Sequence, residues 1–291
     1  MKILILGANG MAGHVVAHYF IEQGHEVTTF SQAPVSFGKN IVGDAFDSSF
    51  FRSLLTGDDF DAVINSIGLL IRESDAHPAN AIYLNSYLPH FAVEVLRGKK
   101  TKFIQMSTDC VFAGNTGPYR ENSFPDGRLF YDRTKALGEI NDTKNLTFRN
   151  SIIGPDMNAQ GVGLFNWFMR QKGEIRGFVG ALWTGVTTIT LAKAMEKAIQ
   201  EDIAGIYNLV NNSNISKFEL LSLFNKHLRN NEAMIIPDNT IALNKSLVNT
   251  RIDFSFNVPT YEEMVLELVA WIDTHKELYP HYWEIRRTHE K

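Results

Sequence analysis

The N-terminus constrains the fold of this chain more than any other stretch. Residues 2 to 6 form a short apolar run, which predicts a fully buried strand of the parallel type. A glycine-rich stretch follows at once, and a helical pattern runs from about Met11 to Gln23. A strand, a glycine turn and a helix N-terminus can bind a pyrophosphate, because the first turn of a helix offers free N–H groups to an anion. The residues expected to line this site are Gly7, Asn9, Gly10, Met11 and Gly13.

Strands and helices continue to alternate up to residue 106, which predicts an α/β fold with a doubly wound parallel sheet. Ligands of such sheets bind beyond the carboxyl ends of the strands. The further cofactor contacts expected there are Ser31, Asp44, Ala45, Ser66, Gly68, Asn85 and Met106. Asp44 is placed to reach the adenine edge of the cofactor, and it could at the same time be the N-cap of the next helix.

The end of the second strand bears on the choice of cofactor. Folds of this kind that prefer NAD usually carry an acidic residue there, which binds the ribose hydroxyls. This chain reads Phe30-Ser31-Gln32 and has no carboxylate to repel a 2′-phosphate. We therefore expect NADP. NAD stays possible, because no arginine follows immediately to bind that phosphate.

Composition excludes several classes of partner. The 291 residues carry a formal net charge of −4, so neither a basic nucleic-acid surface nor a polybasic membrane patch is expected. No apolar run approaches the roughly 20 residues of a membrane span. The single cysteine, Cys110, fits a reducing compartment, and we expect a cytoplasmic protein. His14 and His18 lie four residues apart, but no third ligand is evident nearby, so no metal is expected.

Tyr131 and Lys135 form the sequence feature with the most chemistry in it. Their spacing places both side chains on one face of a helix. A phenol is a poor acid near neutral pH, but a neighbouring ammonium group favours the phenolate and lowers the phenol pKa. The pair is therefore suited to proton transfer to or from an alcohol or ketone. Thr108, at the end of the fifth strand, could hold the oxygen that Tyr131 protonates.

Four motifs occur in the order typical of one family. They are Gly7/Gly10/Gly13, the run 107–112 (Ser-Thr-Asp-Cys-Val-Phe), the run 118–121 (Pro-Tyr-Arg-Glu), and Tyr131/Lys135 followed by Gly138-Glu139. Together they resemble the extended short-chain dehydrogenase/reductases, and within them the dTDP-4-dehydrorhamnose reductase group of nucleotide-sugar reductases. The resemblance implies a catalytic set of Thr108, Tyr131 and Lys135. It also implies cofactor contacts at Tyr131, Lys135 (on the nicotinamide ribose) and Asn150, and substrate contacts at Asp109, Cys110, Asn150, Trp183 and Arg251.

Two related activities and one non-catalytic function are the alternatives. Sugar dehydratases of this superfamily carry a glutamate where this chain has Cys110, which speaks against elimination. Epimerases usually hold NAD and tend to carry the acidic residue that is missing at Ser31, which speaks against epimerisation. A cofactor-binding regulator on the same scaffold would commonly lack Tyr131 or Lys135, and this chain keeps both. Cys110 and Asp132 depart from the usual residues near the sugar pocket.

The organisation along the chain predicts two parts. We expect residues 1–150 to form the dinucleotide-binding domain, and residues 151–291 to form a smaller, mixed α/β region that binds mainly substrate and is partly interleaved with the first. The family resemblance implies a possible homodimer. The last helix is expected at about Tyr261 to Ile272, with a frayed, charged tail after it.

Overall fold

Seven parallel strands form the main sheet of the protein, whose computed structural model describes residues 1–287. From one edge to the other they are β10 (Gly205–Asn208), β6 (Leu146–Arg149), β5 (Lys102–Ser107), β4 (Ala62–Asn65), β1 (Lys2–Leu6), β2 (Glu26–Ser31) and β3 (Lys39–Val42). The strand order reverses between β1 and β4: β2 and β3 lie on one side of β1, whereas β5, β6 and β10 lie on the far side of β4. In this fold the binding crevice lies at such a reversal, beyond the carboxyl ends of the strands. The predicted doubly wound parallel sheet is confirmed.

Helices pack on both faces of this sheet. They are α1 (Met11–Glu22), α2 (Ser48–Thr56), α3 (Ile71–Ala76), α4 (Pro78–Ala81), α5 (Leu88–Val95), α6 (Phe130–Leu137), α7 (Gly163–Arg170), α8 (Thr188–Gln200), α9 (Lys217–Leu228), α10 (Tyr261–Thr274) and α11 (Pro280–Arg287). Alternate residues of β1 point to opposite faces. Ile3 and Ile5 enter one apolar core, whereas Leu4 and Leu6 enter the other. Burial on both sides explains why this strand is apolar throughout.

Two smaller sheets lie in the C-terminal half. The first has three strands in the order β11 (Ile215–Ser216), β8 (Glu174–Trp183) and β12 (Met234–Asn244), with one antiparallel and one parallel pairing. The second pairs β7 (Ser151–Ile153) with β9 (Gly185–Thr187). This is the expected smaller mixed region. β10 belongs to the second half of the chain, but it lies in the main sheet beside β6. A domain boundary at residue 150 therefore stays a prediction.

The C-terminal segment differs from the expected frayed tail. After α10 the chain forms a short 3₁₀ turn, Lys276–Leu278, and then α11. Tyr279 and Tyr282 are buried, so aromatic packing holds this segment on the body of the protein. The remainder of the predicted tail, residues 288–291, lies outside the described residues. No helix between residues 1 and 287 has both the length and the hydrophobicity needed to cross a bilayer.

Candidate active site

The glycine turn packs directly against the start of α1. Gly7 has a φ of +80°, a conformation that glycine adopts without strain, and its N–H donates to the carbonyl of Phe30 over 2.8 Å. A Cβ added at Gly13 would lie 2.2 Å from the Gly7 carbonyl oxygen, so only glycine fits. Gly10 is the N-cap of α1 and supplies no side-chain bond. The first N–H groups of the helix therefore stay available for an anion.

The exit of β4 lies beside α6, the helix that carries Tyr131 and Lys135. The Ser66 hydroxyl is buried and makes no hydrogen bond to the described part of the chain. A Cβ on Gly68 would lie 3.1 Å from Asn85 Oδ1 and 3.9 Å from Lys135 Nζ, so this residue borders α6. The buried Asn85 side chain accepts from the N–H of Leu69 (2.8 Å) and donates to Thr134 Oγ1 (3.2 Å). Asn85 thus ties the β4 exit to the helix that carries Tyr131 and Lys135.

Lys135 is held by the end of β5. Its Nζ donates to the carbonyl of Met106 over 2.7 Å, and the side chain is buried. Burial lowers the pKa of Lys135 from 10.5 to about 8, although the charge of Glu139 acts in the opposite direction. The ammonium form therefore predominates at neutral pH and is lost in the mildly alkaline range.

Tyr131 and Lys135 both lie on α6, as their spacing predicts, but the pKa of the phenol differs from the expectation. Burial raises the pKa of Tyr131 above its ordinary value, and the nearby Cys110 raises it further. A side-chain hydrogen bond with Thr108 lowers that pKa only in part. Burial raises the pKa of the phenol more than the neighbouring groups lower it, so Tyr131 stays a neutral phenol at neutral pH.

Thr108 joins the phenol to a buried carboxyl group. Its hydroxyl donates to Asp109 Oδ1 over 3.1 Å and accepts from the N–H of Cys110 over 3.1 Å. Ser151 donates to the same oxygen of Asp109 over 2.7 Å. Burial raises the pKa of Asp109, while the Ser151 bond and the charge of Lys245 oppose that rise. Thr108, Asp109 and Ser151 therefore form one hydrogen-bonded group at the end of β5, close enough to Tyr131 to affect the pKa of its phenol.

Cys110 and Asp132, the two residues near this group that depart from the family pattern, have structural roles. Burial raises the pKa of the Cys110 thiol to about 12, so it stays protonated, as expected for a thiol that only packs. Asp132 accepts from the N–H of Leu129 over 3.1 Å and so stabilises the first turn of α6. The carboxylate after Tyr131 thus helps to fix the helix on which the phenol stands.

A buried ion pair that the sequence does not predict supports the end of β5. Arg149 donates through Nε and Nη2 to the two oxygens of Glu139, each over 2.6 Å, and donates through Nη1 to the carbonyl of Glu121. Both side chains are at most 5% exposed. Ser107, the residue before Thr108, donates to Glu139 Oε1 over 2.7 Å. No local spacing in the sequence predicts this ion pair, although Glu139 and Glu121 belong to the motifs that carry the family resemblance.

Several predicted cofactor contacts have other partners in the structure. The Ser31 hydroxyl is buried and donates to the carbonyl of Ala33 over 2.7 Å. Asp44 is exposed and accepts from the N–H of Phe46, whereas Asp47 is the N-cap of α2, so the N-cap interpretation of Asp44 is wrong. Four further predicted contacts are placed as follows: Asn9 is exposed in the glycine turn, Met11 opens α1, Ala45 is buried after β3, and Asn150 is buried after β6 and donates to the carbonyl of Ser151.

Trp183 and Arg251 both have structural partners within the protein. The Trp183 ring is buried in the apolar core and packs against Tyr261 with ring centroids 5.6 Å apart. The Arg251 guanidinium donates to the carbonyls of Ala204 and Ile206 and pairs with Asp253. These carbonyls lie at the start of β10, whereas the crevice lies at the strand ends. The substrate contacts expected at both residues stay predictions.

Residues 1–250 match the model of the RmlD substrate binding domain family. The chain belongs to this family. The geometry above is thus that of an RmlD-type protein, in which the motif residues Thr108, Tyr131 and Lys135 share one end of the parallel sheet.

Individual relatives of this RmlD-family chain carry related names. A probable low-salt glycan biosynthesis reductase, Agl14 of Haloferax volcanii, is 33% identical over 143 residues, which cover 48% of each chain. A dTDP-4-dehydrorhamnose reductase of Streptomyces griseus is 29% identical over 47% of this chain and 43% of that one. The aligned parts thus span about half the length of these two curated relatives.

One solved structure extends the likeness to nearly the whole chain. The dTDP-4-dehydrorhamnose reductase of Bacillus anthracis, crystallised in complex with NADP, superposes with a TM-score of 0.78. The match covers 94% of this chain and 99% of that protein at 18% identity. At this identity the likeness establishes the fold, and the chemistry has to be argued from the site.

Proposed function

We propose that this protein uses NADPH to reduce the 4-keto group of a nucleotide-activated 6-deoxyhexose, as a dTDP-4-dehydrorhamnose reductase does. Its product would be a precursor for polysaccharide or glycan synthesis. One observation carries the proposal: Tyr131, a neutral phenol, and Lys135, a buried lysine, share a helix that borders the β4 exit, which in turn borders the glycine turn. A proton donor and a cofactor site thus open onto one crevice.

The residues around the crevice fit a nicotinamide dinucleotide. The free N–H groups at the start of α1 suit its pyrophosphate, and the buried, unbonded Ser66 hydroxyl supplies a polar group at the β4 exit. No carboxylate ends β2, which favours NADPH, and the Bacillus anthracis relative was solved with NADP. NADH stays possible, because no arginine immediately follows Phe30-Ser31-Gln32 to bind the 2′-phosphate. The bound nicotinamide would supply the hydride to the sugar C4 carbon.

The protein's own groups handle the proton. Tyr131, neutral because burial raises the pKa of its phenol, donates its proton to the C4 carbonyl oxygen. The Thr108 hydroxyl, which bonds to Tyr131, orients that oxygen. Lys135, fixed by the Met106 carbonyl, places a positive charge beside the site and stabilises the phenolate that Tyr131 becomes. Fixed positions for all three groups account for much of the expected acceleration.

Positive charge beside Asp109 supports an anionic substrate. Lys245 and Lys217 are both close enough to lower the pKa of Asp109, and Lys245 also acts on Cys110. Both lysines come from the C-terminal half, on the segment after β12 and at the start of α9. A nucleotide diphosphate needs such cationic groups beside the sugar pocket. We therefore propose that residues 151–291 mainly serve the substrate.

The same site argues against the alternative activities. The position of a dehydratase glutamate holds Cys110, whose thiol pKa of about 12 leaves no base there near neutral pH. The missing acid at the end of β2 disfavours the tightly held NAD of an epimerase. A purely regulatory protein would not need Thr108 and Tyr131 to lie next to each other.

An assay with a dTDP-4-keto-6-deoxy sugar and NADPH distinguishes these functions. Loss of the reduced-nicotinamide absorbance, matched by formation of the 4-hydroxy sugar, is the expected result. Conversion of the sugar without net nicotinamide consumption would indicate epimerisation or elimination instead. Tight NADPH binding without turnover of dTDP-, UDP- or GDP-linked 4-keto sugars would point to the regulator.

The rate should fall on the alkaline side of neutrality. Lys135 is charged below about pH 8 and loses its proton above that value, so kcat/KM is expected to decline with a midpoint near pH 8. A pH profile of kcat/KM measures this directly. Lys135→Arg, whose guanidinium does not titrate in this range, should be slower at all pH values but lack the alkaline decline. A decline that persists unchanged in Lys135→Arg would assign it to another group.

Two further expectations belong to the proposal. The single cysteine supports a cytoplasmic location, since a cytosolic enzyme has no need of disulfides. A homodimer stays a prediction that light scattering on the purified protein would check.

A further inference from the structure

A relay of buried hydrogen bonds joins the C-terminal segment to the glycine turn. Trp271 Nε1 lies 3.1 Å from Tyr279 Oη, which lies 2.8 Å from His14 Nε2. His14 Nδ1 in turn lies 2.9 Å from the carbonyl oxygen of Gly10, the N-cap of α1. His14 and Tyr279 are both fully buried, and 265 residues separate them in sequence. We call these bonds the His14 relay.

The chemistry of the partners fixes the direction of every bond in the relay. A carbonyl oxygen only accepts, so His14 Nδ1 must carry a hydrogen. Burial lowers the pKa of His14 to about 4, so the ring is neutral and its Nε2 is an acceptor. Tyr279 therefore donates to Nε2, and its oxygen accepts from Trp271, whose indole N–H can only donate. The relay runs from Trp271 through Tyr279 and His14 to Gly10.

The last bond orients the peptide unit at the start of the cofactor helix. The Gly10 oxygen accepts both from His14 Nδ1 and from the His14 N–H, the latter over 3.1 Å. In a planar trans peptide the C=O of Gly10 and the N–H of Met11 point in opposite directions. Holding the oxygen toward the body of α1 therefore directs the Met11 N–H outward from the helix N-terminus.

A second set of bonds from the same segment reaches Met11 itself. Tyr282 donates to Asn166 Oδ1 and accepts from the N–H of Asp156 over 3.0 Å. The Asn166 amide donates to the carbonyls of Gly154 and Val162 and lies 3.7 Å from Met11 Sδ. Tyr279 and Tyr282 thus stabilise Gly10 and Met11, the two residues joined by the peptide that carries this N–H group.

We propose that His14 and Tyr279 are positioning residues for the pyrophosphate of the dinucleotide, which they serve by fixing the Gly10–Met11 peptide. This inference rests on the proposed function, because it needs a dinucleotide at the glycine turn. It assigns to the C-terminal segment, far from the glycine turn in sequence, an influence on cofactor affinity that acts through His14.

Cofactor affinity, measured without sugar, tests the inference. In Tyr279→Phe the dissociation constant for NADPH, followed by fluorescence titration, should rise about 3- to 10-fold, the equivalent of one net hydrogen bond. Tyr261→Phe is the matched control, since Tyr261 is also buried and donates to the carbonyl of Ser213 but does not contact the glycine turn. Both variants should lose similar thermal stability, while only Tyr279→Phe should lose affinity.

A second pair of variants and a spectrum keep the inference testable if Tyr279→Phe fails to fold. In His14→Asn the amide can replace Nδ1 as the donor to Gly10, whereas in His14→Gln it lies at the Nε2 position. NADPH should therefore bind more tightly to His14→Asn than to His14→Gln. Nitrogen-15 NMR of the wild-type imidazole should show the Nδ1–H tautomer.

Three outcomes would contradict the inference. An unchanged dissociation constant in Tyr279→Phe, equal affinities in the two His14 variants, or an Nε2–H tautomer would each overturn it and leave the proposed function standing. Wild-type protein that binds neither NADPH nor NADH would overturn the proposed function together with the inference.

Discussion

Replacing Tyr131 with phenylalanine is expected to lower kcat for reduction of a 4-keto nucleotide sugar by about 10²- to 10⁴-fold, the usual contribution of a positioned general acid. The variant keeps the ring that fills this buried position and loses only the hydroxyl that bonds to Thr108. NADPH affinity should change little, because the glycine turn and the Ser66 region are untouched. Steady-state kinetics and a binding titration on the same preparation measure both effects.

Tyr207→Phe is the matched control for that loss. Tyr207 is also buried, and its hydroxyl accepts from Asn249 on the C-terminal half, away from Thr108. Its removal should reduce stability slightly and leave kcat near the wild-type value. If Tyr131→Phe kept more than a tenth of the wild-type kcat, Tyr131 would not be the proton donor.

The largest loss of stability is expected from Arg149→Leu. This change leaves the Glu139 carboxylate buried without its ionic partner, and the free energy of unfolding should fall by about 3–5 kcal/mol. Urea denaturation should show a lower midpoint with an unchanged m-value. Because Ser107 also bonds to Glu139, the end of β5 should loosen and kcat should fall as well.

Two comparisons isolate the cause of that effect. Arg149→Leu combined with Glu139→Leu removes both charges and should be more stable than Arg149→Leu alone. Arg97→Leu removes an arginine from the exposed pair with Glu94 and should cost no more than about 1 kcal/mol. A double variant that is less stable than Arg149→Leu would mean that the buried charge is not the origin of the loss.

The parts of the fold that depend on local pattern could be predicted from the sequence. The apolar run of β1, the glycine spacing and the start of α1 follow one another within thirteen residues, so their geometry is set by neighbours in the chain. The same holds for Tyr131 and Lys135, which share one helix. The N-cap of α2 was misplaced by one turn, because Asp44 and Asp47 are both competent caps and only the structure shows which one bonds.

The parts that depend on distant contacts could not be predicted in the same way. A lysine four residues from Tyr131 is visible in the sequence, but the burial that dominates the phenol pKa is not. The packing of Trp183 on Tyr261 also joins residues far apart in the chain. The His14 relay likewise joins residues at opposite ends of the chain, so no spacing rule reveals it.

The central claim is that a nicotinamide hydride reaches the sugar carbonyl carbon while the protein supplies the proton. Nuclear magnetic resonance of the sugar formed from NADPH deuterated at one face of nicotinamide C4 tests it most directly. For one of the two faces, we predict one deuterium at C4 of the sugar for each NADPH oxidised. A product that carries hydrogen from water at C4 with either labelled cofactor would contradict the account.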